Sequence, residues 1–272
     1  MQPTQASLNP QDLPLKPVKA DRPQTSHRLR SWPADLDHLW SGLQAGRWLR
    51  ELPQDLGEQL KALARPRQLA AAEWLFRRGD PTCGLYAVAR GTLCISGTLA
   101  QGGQTRTALL SLADAPMWLG EVGLFDGTTR SHDVQAVTAC TLLHIPQAPL
   151  LAWLQQHPAH WQNMALLLTD KLRACMASFE EQLLLPAPQR LIRRLVRMAQ
   201  GLEQWYEPYE AEQPLHSRRE LQVSQEQLAR MLGLSRQTTN QILQTLQQSR
   251  LIRLRRAKLE ILDLQGLRLA GD

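Results

Sequence analysis

The sequence predicts an α+β protein: a block of short strands, then one long helix, then a helical unit closed by a strand pair. Three observations carry this expectation. Between Trp74 and Ile145, short apolar runs alternate with glycine-containing turn signals. From Pro158 to about Leu185, apolar residues recur at helical spacing until Pro186 and Pro188 forbid continuation. From Val223 to Ile252, two short amphipathic segments flank Gly233, a residue suited to a sharp turn.

Residues 1–34 are polar and carry Pro3, Pro10, Pro14, Pro17, Pro23 and Pro33. Such a segment holds too little apolar surface to offset the entropy of ordering, so a disordered tail is expected. Residues 35–150 read as one domain. It opens with short helices on which Leu56, Leu60 and Leu63 share a face. Strands are expected at Leu85–Ala89, Thr92–Ser96, Thr107–Leu112, Val134–Val137 and Thr141–Ile145, which fits a sandwich, a barrel or a jelly roll. Residues 151–186 hold the long helix. Trp161, Ala165, Leu168, Leu172, Cys175 and Phe179 follow one another at alternating steps of four and three, the pattern of a heptad seam. That seam suits a parallel contact with a second copy through Leu168, Leu172, Cys175 and Phe179; packing on the chain's own β domain is the competing reading. Residues 187–272 are helical to about Ser249, then give short strands at Ile252–Leu254 and Leu259–Leu262 around Arg255, Arg256 and Lys258.

A chain of 272 residues with 43% apolar and 21% charged residues has the composition of a soluble protein of two ordinary domains. The net charge is +6, and residues 190–272 carry fourteen Lys and Arg against nine Asp and Glu. This concentration suits a nucleic acid partner, and equally a solvated basic surface. Cys83, Cys94, Cys140 and Cys175 are scattered without metal-ligand spacing, so buried, reduced thiols and no metal are expected. His132-Asp133 reads as a pair on a strand rather than part of a metal set. No nucleophile–base pair stands out, so no catalytic residues and no enzyme are expected. With no apolar run of about 18 residues and no secretory leader pattern, the expectation is a cytoplasmic protein without a membrane span.

Within Val223–Ile252, Ser224 is placed to cap a first helix, and Gln227 completes a capping box. Leu228, Ala229 and Leu232 supply its buried face. Ser235 is placed to cap a second helix whose inward residues are Thr239, Ile242, Leu243 and Leu246. Arg236, Gln237, Asn240 and Gln241 are left on the outer N-terminal face, the part of a recognition helix that meets base edges. With Ser235 and Thr238 they make the expected DNA-contacting set.

The stretch Val223–Leu243 resembles the helix-turn-helix of the cyclic-AMP receptor protein/fumarate-nitrate regulator (CRP/FNR) superfamily of bacterial transcription regulators. The resemblance covers about residues 50–262 and implies an N-terminal β-roll of the cyclic-nucleotide-binding type (a double-stranded jelly roll), a long dimerisation helix and a C-terminal winged helix-turn-helix. It implies a homodimer on double-stranded DNA, with RNA polymerase as a partner if the protein activates. The family's outward recognition positions fall on Arg236, Gln237 and Gln241, where its cyclic-AMP receptor carries Arg, Glu and Arg. Only the arginine is retained, which implies a different operator.

A second motif, Trp118-Leu-Gly-Glu-Val-Gly-Leu-Phe-Asp-Gly-Thr-Thr-Arg-Ser131, resembles the phosphate-binding cassette of cyclic-nucleotide-binding domains. The resemblance implies effector binding by Gly120, Glu121, Arg130 and Ser131. Gly120 lets the backbone approach a ligand, Glu121 can accept from a ribose hydroxyl, Arg130 can clamp a cyclic phosphate and Ser131 can donate to it. A cyclic nucleotide, cyclic AMP or another, is thus the expected effector; the competing reading is an internal Glu121–Arg130 ion pair. Two positions depart from the family: His132 stands where a small residue is usual, and Cys175-Met176 falls where adenine meets Thr-Ser. The fumarate-nitrate branch holds an iron–sulfur cluster on N-terminal cysteines; residues 1–82 contain none, so no cluster is expected. The alternative function is a nucleotide-binding regulatory module that controls a protein partner without DNA.

Overall fold

The structure, a computed structural model, describes residues 36–101, 104–200, 220–255 and 258–271, all within the compact unit Asp35–Asp272. The expected tail, residues 1–34, lies outside the described residues, as do Arg256 and Ala257. Three helices come first: α1 (Leu36–Leu43), α2 (Arg47–Arg50) and α3 (Gln54–Leu63). Leu56 and Leu60 of α3 are fully buried, while Leu63 at its end is only partly covered.

Strands β1 (Arg65–Leu69), β2 (Trp74–Phe76), β3 (Gly84–Arg90), β4 (Thr92–Gln101), β5 (Gln104–Asp114), β6 (Trp118–Leu119), β7 (Asp133–Ala136) and β8 (Cys140–Pro146) follow, with α4 (Val122–Asp126) between β6 and β7. They form two four-stranded antiparallel sheets, ordered β1-β8-β3-β6 and β2-β7-β4-β5. The five expected runs fall in β3, β4, β5, β7 and β8. The edge strand β1 was not expected, because Arg65-Pro-Arg-Gln-Leu has no apolar alternation; at an edge, Pro66 needs no donor to the ladder.

Strand periodicity divides the core into two layers. Tyr86 and Val88 of β3 point between the sheets, with Leu93, Val134 and Leu142. Leu85 and Ala87 point the other way, onto Trp40, Trp48, Leu150 and Leu154. Trp118 is fully buried there and meets the rings of Trp48 and Trp40 edge-on at 5.1 and 6.2 Å. Such ring pairs contribute roughly 1 kcal/mol beyond the area they bury.

Helix α5 (Gln147–Gln156), a single 3₁₀ turn (Pro158–His160) and α6 (Trp161–Leu184) come next. Helix α6 divides its length. Met164 and Leu167 are buried in the outer layer of the roll, as the competing reading expected. From Leu172 onward the apolar positions are open: Leu172, Met176, Phe179 and Leu183 are each more than half exposed.

The C-terminal unit comprises α7 (Ala187–Gln200), β9 (Glu220–Leu221), α8 (Gln225–Leu232), α9 (Arg236–Gln248), β10 (Ile252–Arg255), β11 (Lys258–Ile261) and α10 (Leu264–Leu269). Strand order is β10-β11-β9, so the expected strand pair gains a third member too short to be read from sequence. Leu191, Leu195, Leu228, Leu243, Ile252 and Leu259 form the core, and Leu109 and Leu112 of β5 join it from the roll. The thiols depart from expectation. Cys140 is buried and Cys94 half-buried, but Cys83 and Cys175 are exposed, the first in the turn before β3 and the second on the open side of α6.

Candidate nucleic-acid interface and effector site

The helix-turn-helix forms as its caps require. Ser224 Oγ accepts from the Gln227 amide at 3.2 Å while Gln227 Oε1 accepts from the Ser224 amide at 2.8 Å. Gly233 takes φ 63°, a left-handed turn that lets α9 cross α8. Ser235 caps α9 by accepting from the Thr238 amide at 2.9 Å, and its hydroxyl also meets that of Thr238 at 2.8 Å. Thr239, Leu243 and Leu246 lock one side of α9 into the core. Arg236, Gln237, Asn240 and Gln241 are exposed on the other.

The strand pair β10–β11 carries Arg253, Arg255 and Lys258 beside this helix, and each has a carboxylate. Glu260 lies 3.0 Å from Arg253 and 3.6 Å from Arg255; Glu220 lies 2.6 Å from Lys258. Lys258 holds the Glu220 carboxyl below its ordinary range.

The cassette keeps its backbone but binds its side chains internally. Gly120 has φ 97°, and a Cβ there would lie 2.6 Å from the Gly84 carbonyl and 2.8 Å from Arg130 Nη1. Glu121 and Arg130 are both buried, yet they do not pair with one another, which corrects the competing reading of an internal ion pair. Glu121 Oε2 accepts instead from Lys171 Nζ of α6 at 2.8 Å, and the same ammonium donates to the Trp118 carbonyl. Arg130 donates to the carbonyls of Gly84 at 2.9 Å and Gly120 at 3.2 Å, and its guanidinium lies 4.3 Å from the Phe76 ring centre. Its Nε has no partner among the described residues. A buried cation with a spare donor and no bonded carboxylate fits an anionic phosphate. Ser131 fits less well: it is exposed, and its hydroxyl is bonded to His132 Nδ1 at 2.9 Å.

Sequence reading missed the groups beside Arg130. Cys83 Sγ lies 3.3 Å from Arg130 Nη2 and 3.1 Å from the Tyr86 hydroxyl. His144, stacked on Tyr86 at 4.6 Å, reaches the Cys83 carbonyl at 3.0 Å. The His144 imidazole, helped by Tyr86 and Arg130, brings the Cys83 thiol down to about 6, against desolvation. Burial, and the bond to Cys83, push Tyr86 up to about 12. The available signal was a tyrosine and a histidine on the inward positions of β3 and β8, otherwise apolar. Missed as well was Glu181 near the end of α6, which accepts a two-pronged contact from Arg197 of α7 at 2.5–2.7 Å. Among the described residues no group of three or more His, Cys, Asp or Glu is arranged for a metal, and no helix is long and apolar enough to cross a membrane.

A cassette-bearing roll, joined through one long helix to a helix-turn-helix with a strand-pair wing, defines a class: a transcription regulator with a sensor domain. Comparison with known proteins agrees. Residues 66–157 match the cyclic nucleotide-binding domain and residues 189–270 the Crp-like helix-turn-helix domain. The cyclic AMP receptor protein of Thermus thermophilus is 31% identical over 193 residues, 69% of this chain and 79% of that one. The CRP-like cAMP-activated global transcriptional regulator of Mycobacterium tuberculosis is 23% identical over 188 residues, 69% of this chain and 78% of that one. Among solved structures, the c-di-GMP responsive global regulator CLP of Xanthomonas campestris superposes with TM-score 0.56 at 25% identity, covering 77% of this chain and 99% of that one. The chain belongs to the CRP/FNR family and is a DNA-binding transcription regulator of the CRP type. The alternative of a module without DNA is thereby set aside.

Proposed function

We propose that the chain works as a homodimer whose two α9 helices read a near-palindromic site in successive major grooves, under control of a cyclic nucleotide held in the roll. The observation that carries the DNA contacts is the outer face of α9, where Arg236, Gln237, Asn240 and Gln241 are exposed on a helix locked into the core behind. Arginine can pair bidentately with guanine, and glutamine or asparagine with adenine. Ser235 and Thr238 at the helix start suit a backbone phosphate.

The dimer contact is the open side of α6. Leu172, Cys175 and Phe179, extended by Met176 and Leu183, form an exposed apolar stripe that the same stripe of a second copy would cover; Leu168, half-buried, begins it. For the effector, Arg130 would meet the cyclic phosphate, the Gly120 backbone would lie against it, Glu121 would accept from the ribose, and Ser131 would donate once released from His132. The similar regulators, cAMP-activated in one case and c-di-GMP responsive in another, support a nucleotide. Such a ligand shifts DNA binding only through unequal affinity for two arrangements of the chain. A cytoplasmic location and, for an activator, contact with RNA polymerase belong to the same reading.

The experiment is selection of bound genomic fragments, followed by anisotropy titrations on the selected site. Arg236→Ala should lose roughly 10–100-fold in discrimination at one base pair, the worth of one bidentate contact. A wild-type chain that selects no sequence overturns the DNA contacts. Phe179→Asp should leave a monomer in light scattering. Calorimetry with cyclic AMP, cyclic GMP and cyclic di-GMP should give heat for one of them, lost in Arg130→Ala; no heat from any removes the nucleotide.

A further inference from the structure

Beside Arg130, the group proposed for the cyclic phosphate, the roll holds side chains that nucleotide binding leaves unused. Cys83 is exposed, with Tyr86 and Arg130 against its sulfur, His144 at its carbonyl, and Arg67 bonded in turn to Tyr86. Chemistry fixes the direction of the bonds. Arg67 Nη1, 3.0 Å from the Tyr86 oxygen, can only donate, so the phenol proton is available to Cys83. Arg130 Nη2 can also only donate. The sulfur thus receives hydrogen bonds from two sides, and guanidinium groups lie 5.6 and 5.9 Å from the Tyr86 ring centre. These surroundings favour S⁻ over S–H.

Charge balance points the same way. Arg130 is 5% exposed, and its other bonds go to neutral carbonyls. A buried cation without an anion is strongly disfavoured. Among the described residues bonded to Arg130, the Cys83 sulfur is the one able to supply that anion.

We propose that Cys83 is a modification site: a thiolate nucleophile, held by Arg130 and Tyr86, that hydroperoxides oxidise to a sulfenic acid. The sulfur lone pair attacks the terminal peroxide oxygen, and the S–O bond forms as the O–O bond breaks. Hydroxide or alkoxide leaves and takes a proton from water. Sulfur gives up two electrons and the peroxide gains them. The other thiols are placed differently. Burial pushes Cys94 and Cys140 up, and Cys175 sits on the apolar stripe of α6. The new oxygen forms beside Arg130, whose Nη1 holds the Gly120 carbonyl, so oxidation acts on the cassette itself.

The test is peptide-resolved mass spectrometry on the full chain. Iodoacetamide alkylation of Cys83 should level off above about pH 7 in the folded protein but keep rising toward pH 9 in urea. At pH 6 the folded rate should be about tenfold the unfolded one, after allowing for the weaker nucleophilicity of a more acidic thiol. Hydrogen peroxide with dimedone should label Cys83 before the other three cysteines. Tyr86→Phe, which keeps the ring, should move the plateau up by roughly one pH unit. The same pH profile folded and unfolded, or dimedone on other cysteines with Cys83 unlabelled, overturns the proposal; both readouts use the wild-type chain and survive a variant that fails to fold.

Discussion

The two halves of this chain treat charge in opposite ways. In the roll, Glu121 and Arg130 are 4% and 5% exposed, and each is already bonded within the chain. In the C-terminal unit, the Arg236 side chain is 80% exposed and its nearest carboxylate, Glu226, stands 4.0 Å away. In the proposed reading a small ligand is held by polar groups arranged beforehand out of water, and their burial is offset by internal partners. In the same proposed reading, the side chains of α9 that reach into a groove stay solvated until contact. Helix α6 belongs to both regimes: Lys171 bonds the roll's Glu121, and further along Glu181 bonds Arg197 of the C-terminal unit.

The comparison is tested most strongly at Lys171. Lys171→Met keeps the aliphatic stem but strands the Glu121 carboxylate in the core, and should cost about 3 kcal/mol in urea unfolding. Arg236→Met, an equally drastic change on α9, should stay within about 0.5 kcal/mol. Equal losses would break the contrast. The next effect is at Glu181, whose side chain is 13% exposed against 19% for Arg197. Glu181→Gln removes the charge from a two-pronged contact and should cost about 2 kcal/mol, less than Lys171→Met because the stranded Arg197 is 19% exposed where the stranded Glu121 side chain is 6%. Ser235→Ala comes third. It removes the acceptor for the Thr238 amide and should cost about 1 kcal/mol, seen as a lower unfolding midpoint.

Legibility in the sequence follows the range of the interactions involved. The helix-turn-helix was readable because its caps, its turn glycine and its buried face all lie within one short stretch. The strand block was readable from alternation, and α6 from its spacing and terminal prolines. The bonds that build the candidate effector site are of another kind: Lys171 and Glu121 are 50 residues apart, and Cys83 and Arg130 are 47 apart. Such pairs exist only once the sheets bring them together. The motif Gly120–Ser131 therefore named candidate residues but not the partners they take within the chain: Glu121 bonds Lys171 of α6 and Ser131 its neighbour His132. The wing shows the same limit. Arg255 and Lys258 read as part of a basic stretch, yet Glu260 and Glu220 sit against them.

That last pairing gives the smallest and most selective prediction. Lys258 and Glu220 are 44% and 48% exposed, so their ion pair is screened by solvent and holds little of the fold. The folded Glu220 carboxyl is held below its ordinary value by Lys258. Its contribution is therefore fully present above the unfolded value and fades only as pH falls through the lower, folded one, so neutral pH leaves the pair intact. Glu220→Gln should leave urea unfolding at pH 7 unchanged within error. Its effect should appear on DNA, because Lys258 is then released to a phosphate. The slope of log K against log salt should steepen by about 0.9, the release of one counterion, with sequence preference untouched. An unchanged slope would place the wing away from the phosphates and leave α9 as the whole of the interface. A steeper slope with altered base preference would instead mean that the wing reads sequence, and the division between positioning charges and reading charges would have to be redrawn.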